Sequence, residues 1–219
     1  MTIVDKKYLY KIAFSLAIFT IIYNLAEGLI ATYLGYEDES LTLFGFGADS
    51  FVEMISGLGI AHMVFRIQRN SSSSLDNFER NALRITGYTF YILVIGLLTT
   101  SAYNIWIDNK PITTFWGIII SLISIAVMLF LLYSKAKVGQ LLNSDAMLAD
   151  AECTRICIYM SIVLLVSSGV YELTRIPYID SAGGLILAYL SFKEGNECFW
   201  KVKNGACSCH TSTLAQVKG

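Results

Sequence analysis

Apolar residues gather in six stretches along the chain, at about residues 9–33, 41–65, 84–107, 112–134, 147–173 and 178–199. Each approaches the roughly 20 residues a helix needs to cross a bilayer. The first is too long for a signal-peptide core and has no clear small-residue cleavage site, so it is read as a span. The sixth is the least apolar, because Lys193 and Glu194 follow "YIDSAGGLILAYLSF" while the helix can still continue. Short connections between the stretches suit an up-and-down arrangement. The serine-rich segment "RNSSSSLDNFER" between the second and third reads as a flexible linker. The pattern predicts an all-α integral membrane bundle of six transmembrane helices over residues 1–200, followed by a short tail at 201–219.

Composition strengthens that picture. Hydrophobic residues make up 55% of the chain and charged residues 15%, against about 25% charge in a soluble domain. A net charge of −1 points away from a nucleic-acid partner. The basic residues set the orientation. With the N-terminus in the cytosol, thirteen fall on the inner side (Lys6, Lys7, Lys11, Arg66, Arg69, Arg80, Arg84, Lys135, Lys137, Lys193, Lys201, Lys203 and Lys218) and two, Lys110 and Arg175, on the outer. Both termini are therefore expected in the cytosol and the acidic "GYEDES" loop outside, in a plasma or inner membrane. The five cysteines, at 153, 157, 198, 207 and 209, are odd in number and crowded late, unlike a disulfide framework. The aromatic residues fit interfacial belts and helix packing.

Ionisable groups inside hydrocarbon are costly, so each is a candidate for function. The second stretch places Asp49 and Glu53 four residues apart, on one face of a helix. The fifth, around "LADAECTRIC", places Cys153 and Cys157 in the same relation, with Asp150 about one turn earlier. Two helices that each offer such a pair can close four ligands around one ion, the usual number for zinc. A set of two carboxylates and two thiolates suits zinc and leans towards softer ions such as cadmium, mercury or lead. Each cysteine alone could equally be a packing residue. The two could also form a redox pair, although redox centres usually use Cys-x-x-Cys.

These residues resemble the signatures of the cation diffusion facilitator (cation efflux) family of zinc and divalent-metal/proton antiporters. The family's second helix carries [His/Asp]-Ser-x-x-Asp, and this chain has "DSFVE" at 49–53. Its fifth carries Ala-Asp-Ala-x-His-x-x-x-Asp, and this chain has "ADAECTRIC" at 149–157. "YIDSAGGLILAYLSFKEG" is similar to the family's sixth-helix segment. The resemblance implies that Asp49, Glu53, Cys153 and Cys157 are the metal ligands and that Asp150 lies behind them. It also implies six helices with both ends cytosolic. The departures are Glu at 53 and two thiols on the fifth helix, which disfavour hard ions such as manganese or magnesium. The usual cytosolic C-terminal domain is not expected, so the resemblance is to the short form, and dimerisation through the membrane helices stays open.

The expected function is a secondary transporter, not an enzyme, that exports a divalent thiophilic metal (Zn2+, Cd2+, Hg2+ or Pb2+) in exchange for protons. The metal is the substrate, and no organic cofactor is expected. No Walker motif supports ATP-driven pumping. Protons released on binding would return from the more acidic outer side and expel the metal. Asn24 and Glu27 are candidates for a gate or proton carrier; the alternative is that Glu27 partners a basic residue or lies near the outer interface. Arg155 is expected to pair with Asp150, Glu152 or Glu27, either as a plain ion pair or as the charge that keeps the thiols ionised. His62 reads as an interfacial histidine. The tail, with Cys198, Cys207, Cys209 and His210, is either a cytosolic capture site or an end with incidental cysteines. Two other classes remain: a metal-binding membrane sensor without turnover, and an intramembrane thiol oxidoreductase.

Overall fold

Each apolar stretch forms one helix, and most of the helices outrun the stretch that predicts them. The computed structural model describes residues 3–69, 77–107, 110–143, 145–176 and 178–204. The helices are α1 (Ile3–Glu37), α2 (Leu41–Arg69), α3 (Asn77–Ile107), α4 (Phe115–Leu142), α5 (Asp145–Thr174) and α6 (Tyr178–Asn204). Five of them, α1 to α5, contain a window long and apolar enough to cross a membrane. In hydrocarbon a backbone must satisfy its own hydrogen bonds, which a helix does. The sixth, α6, is 27 residues long but carries Asp180, Lys193, Glu194, Glu197, Lys201 and Lys203. Its polarity is directed inward, as Ser181, Ser191, Glu194 and Lys201 are all buried.

The distribution of polarity is that of a membrane bundle. Large apolar side chains such as Ile22, Leu29, Ile92, Ile95, Phe130 and Tyr133 lie on the outside. Serines and threonines line the inside, with Thr42, Thr86, Ser101, Ser121, Ser124, Ser161 and Ser168 fully buried. Small residues let the helices approach closely. Along α1 and α2, the most extensive contact with that of α3 with α6 and α4 with α5, a Cβ added at Gly35 would strike the backbone nitrogen of Phe44. One added at Gly47 would lie 2.5 Å from the backbone nitrogen of Thr32.

Distant acids close the outer helix ends. Asp180, at the start of α6, accepts from the backbone N–H of Leu41 at 2.7 Å and from Ser40 Oγ at 2.8 Å. It also accepts from the Thr42 N–H at 3.3 Å, while Thr42 Oγ1 donates to the Asp180 carbonyl. A carboxylate thus meets the orphan donors and positive end of α2. Glu172, near the end of α5, does the same for α4, accepting from the Thr114 N–H at 2.6 Å. That contact explains why α4 begins at Phe115 rather than at the expected 112. The inner end of α4 closes on Asn143, in the left-handed conformation with φ 47° and its N–H directed to Gln140 and Gly139 carbonyls.

Two orientation residues are corrected. Lys135 does not lie in an inner loop. It is 1% exposed within α4, where Nζ is 3.0 Å from Asp150 Oδ2 and donates to Thr154 Oγ1 at 3.0 Å. Lys201 is likewise buried, within α6. Eleven inner basic residues against two still give the same bias.

Candidate metal centre

The site begins where α2 and α5 touch. Cys157 Sγ lies 2.7 Å from Glu53 Oε1 and 3.3 Å from the carbonyl oxygen of Cys153. One thiol proton therefore has a carboxylate across the helix interface and a carbonyl one turn back as acceptors. Asp49 sits one turn from Glu53 on α2, is 3% exposed, and has Oδ1 buried without a hydrogen-bond partner. A buried carboxylate oxygen left unpaired is costly, which makes Asp49 the group on α2 most in need of a cation.

The four predicted ligands are not gathered into one cluster. Among the described residues, no group of three or more His, Cys, Asp or Glu side chains is close enough to hold a metal ion. The up-and-down order makes α2 and α5 antiparallel. Contact between Glu53 and Cys157 then leaves Asp49 beyond the pair on one side and Cys153 beyond it on the other. The arrangement is a column, with one cross-helix pair at its centre.

Cys153 has a cation beside it. Lys201 of α6 donates from Nζ to Cys153 Sγ at 3.6 Å. Arg155 pairs with Glu152 one turn back, one of the partners expected for it, and is 40% exposed at its side chain. Asp150 is turned to Lys135 on α4, so of the three partners considered for Arg155 only Glu152 is engaged.

Behind the pair runs a hydroxyl network. Tyr23 OH donates to Glu27 Oε1 at 2.8 Å, and Ser50 Oγ donates to Glu27 Oε2 at 3.1 Å. Ser161 Oγ lies 2.8 Å from the Cys157 carbonyl and 3.0 Å from Ser124 Oγ. Glu27 is thus tied to α2 at the residue next to Asp49. Asn24 is 1% exposed, and its Oδ1 has no hydrogen-bond partner. His62 is half-buried further along α2.

Cys198 is corrected from tail to helix. It lies in α6, 5% exposed, in an apolar cluster with Val52 and Phe90. That is the setting of a packing cysteine, not of a flexible capture site. Cys207, Cys209 and His210 lie outside the described residues.

Sequence reasoning missed Lys135, Lys201, Glu194 and the serines at 50, 124 and 161. A signal for α6 did exist: Ser191, Glu194, Cys198 and Lys201 recur at spacings of three, four and three, the repeat of one helix face. The serines carried none, since a serine in an apolar run is ordinary.

Residues 13–203 match the cation efflux transmembrane domain family. No curated protein matches the chain.

Proposed function

Because the chain belongs to the cation efflux family, a membrane family of metal-cation transporters, we propose that it moves a divalent thiophilic cation in exchange for protons. Asp49, Glu53, Cys153 and Cys157 are the ligands in this reading. The observation that carries it is the 2.7 Å contact between the Cys157 thiol and the Glu53 carboxyl group. An acid and a thiol from two helices meet there, inside a bundle coated with apolar side chains.

The chemistry follows from what those groups require. A thiol and a carboxyl group ligate only when deprotonated, so metal and proton compete for the same atoms. With the cation bound, Asp49 and Cys153 must close on the central pair from opposite sides, and α2 must shift against α5 to let them. With protons returned, the Cys157–Glu53 hydrogen bond re-forms and the column reopens. That alternation couples metal release to proton entry. Glu27, held by Tyr23 and Ser50 beside Asp49, is placed to exchange those protons. Thiolates favour zinc and softer ions over manganese or magnesium.

Proteoliposomes with an imposed pH gradient test this reading, with zinc and cadmium offered in turn. Uptake is expected to collapse when the gradient is dissipated, and to fall to background in Asp49→Ala and Cys157→Ser. Stoichiometric binding without flux would instead make the chain a metal sensor. Thiol oxidation that proceeds without metal dependence would favour an oxidoreductase. An unaltered flux in both variants would overturn the ligand assignment.

A further inference from the structure

Apart from Lys201, the inward stripe of α6 has no part in the site described above, yet it reaches that site. Glu194 is 8% exposed and its Oε1 is buried without a hydrogen-bond partner. Its carboxyl group interacts electrostatically with Cys153, Glu197, Lys201 and Lys193, and with Asp49. Glu194 thus couples to both outer members of the column, Asp49 on α2 and Cys153 on α5. About two turns further along α6, Lys201 sets its ammonium on the Cys153 sulfur at 3.6 Å.

An unpaired carboxylate oxygen in a bundle interior is expensive unless something cationic visits it. Lys201 supplies a single positive charge, whereas a carboxylate and a thiolate, once deprotonated, together present two negative ones. A divalent ion would balance both.

We propose that Glu194 is a further ligand of the transported cation. With Cys153 it forms an inner station between α5 and α6, which a divalent thiophilic ion occupies by displacing the Lys201 ammonium before moving on to Asp49, Glu53 and Cys157. This inference rests on the metal-transport reading above and extends it to a third helix. Ion entry there forms a sulfur–metal and an oxygen–metal bond, breaks the Lys201–Cys153 hydrogen bond, and releases to solvent whatever protons Cys153 and Glu194 carry.

The test is titration of the full chain, carrying Cys207→Ser and Cys209→Ser to remove tail sulfurs, in detergent with cadmium alone, read by the cadmium–thiolate charge-transfer absorbance. Glu194→Gln is expected to weaken binding by roughly 10–100-fold, the size of effect seen when a metal's supporting groups are lost. Glu194→Asp restores most of that loss. Lys201→Gln tightens binding, because the competing ammonium is gone. The absorbance per bound cadmium stays unchanged in all three, since no sulfur has been removed. A Glu194→Gln protein that binds as the native chain does, while Cys157→Ser loses binding, would overturn the inner station and leave the α2–α5 site standing. A native chain that binds no cadmium would overturn that site and the station with it. If Glu194→Gln does not fold, Glu194→Asp and Lys201→Gln decide, and unchanged affinity in both overturns the proposal.

Discussion

Lys135 and Asp150 form a buried ion pair at 3.0 Å, with Thr154 completing the ammonium's coordination. Removing one partner of such a pair leaves the other charged and buried, at a cost of about 3–5 kcal/mol. Lys135→Met is therefore expected to lower the thermal stability of the purified protein sharply. Lys135→Met combined with Asp150→Leu should recover most of the loss, because no uncompensated charge then remains. A double variant as unstable as the single would deny that the pairing, rather than the packing, holds α4 to α5. At this scale the sequence displayed the ligands but not their neighbours. Asp49 with Glu53, and Cys153 with Cys157, stand out because each pair is encoded within one turn of one helix. The partners of Asp150 and Cys153 are 15 and 48 residues away on α4 and α6. Counting charges placed both lysines in loops, because a lone basic residue near the end of an apolar run looks the same in either place.

Between helices, close approach decides. A Cβ at Gly35 would meet the backbone of Phe44, which cannot turn aside as a flexible side chain would, whereas one at Gly96 would meet nothing within 4 Å. Gly35→Ala is expected to destabilise the α1–α2 contact by roughly 1–3 kcal/mol, the cost of overpacking. Gly96→Ala should be neutral or gain up to about 1 kcal/mol from helix propensity. Thermal unfolding of the two variants in the same detergent compares them directly, and equal effects would contradict the packing argument. Asp180→Ala removes the acceptor that serves Ser40, Leu41 and Thr42 at the start of α2. A loss of about 0.5–2 kcal/mol is expected there, as for other helix caps. A stability equal to that of the native chain would show that this cap contributes nothing. The six helices were legible because a bilayer imposes a minimum apolar length on each. Not all of their ends were: α4 begins at Phe115 rather than 112, where an acid from α5 reaches it, a contact that no local pattern encodes. The register of α2 against α5, which sets Glu53 rather than Asp49 opposite Cys157, was equally hidden.

Among the described residues the polarity of a soluble domain is partly inverted, with large aliphatic and aromatic side chains outside and, beside an apolar core, hydroxyls, carboxylates and the lysines 135 and 201 within. That inversion explains why membrane residence was plain from composition, while α6 looked the weakest span. The charges that lower its hydropathy include Asp180, Glu194 and Lys201, which are among its buried residues. Membership of the cation efflux family accords with such an interior, since a metal cation crossing a bilayer needs a polar path that lipid cannot provide. In the proposed transport reading, thiols of α5 and carboxylates of α2 hold that cation together. X-ray absorption of the zinc-loaded full chain, carrying Cys207→Ser and Cys209→Ser to remove tail sulfurs, tests it most directly. The expected shell has two sulfur neighbours at about 2.3 Å and oxygens at about 2.0–2.2 Å, with one sulfur lost in Cys157→Ser. A shell of oxygen and nitrogen alone, unchanged by Cys153→Ser and Cys157→Ser, would contradict it.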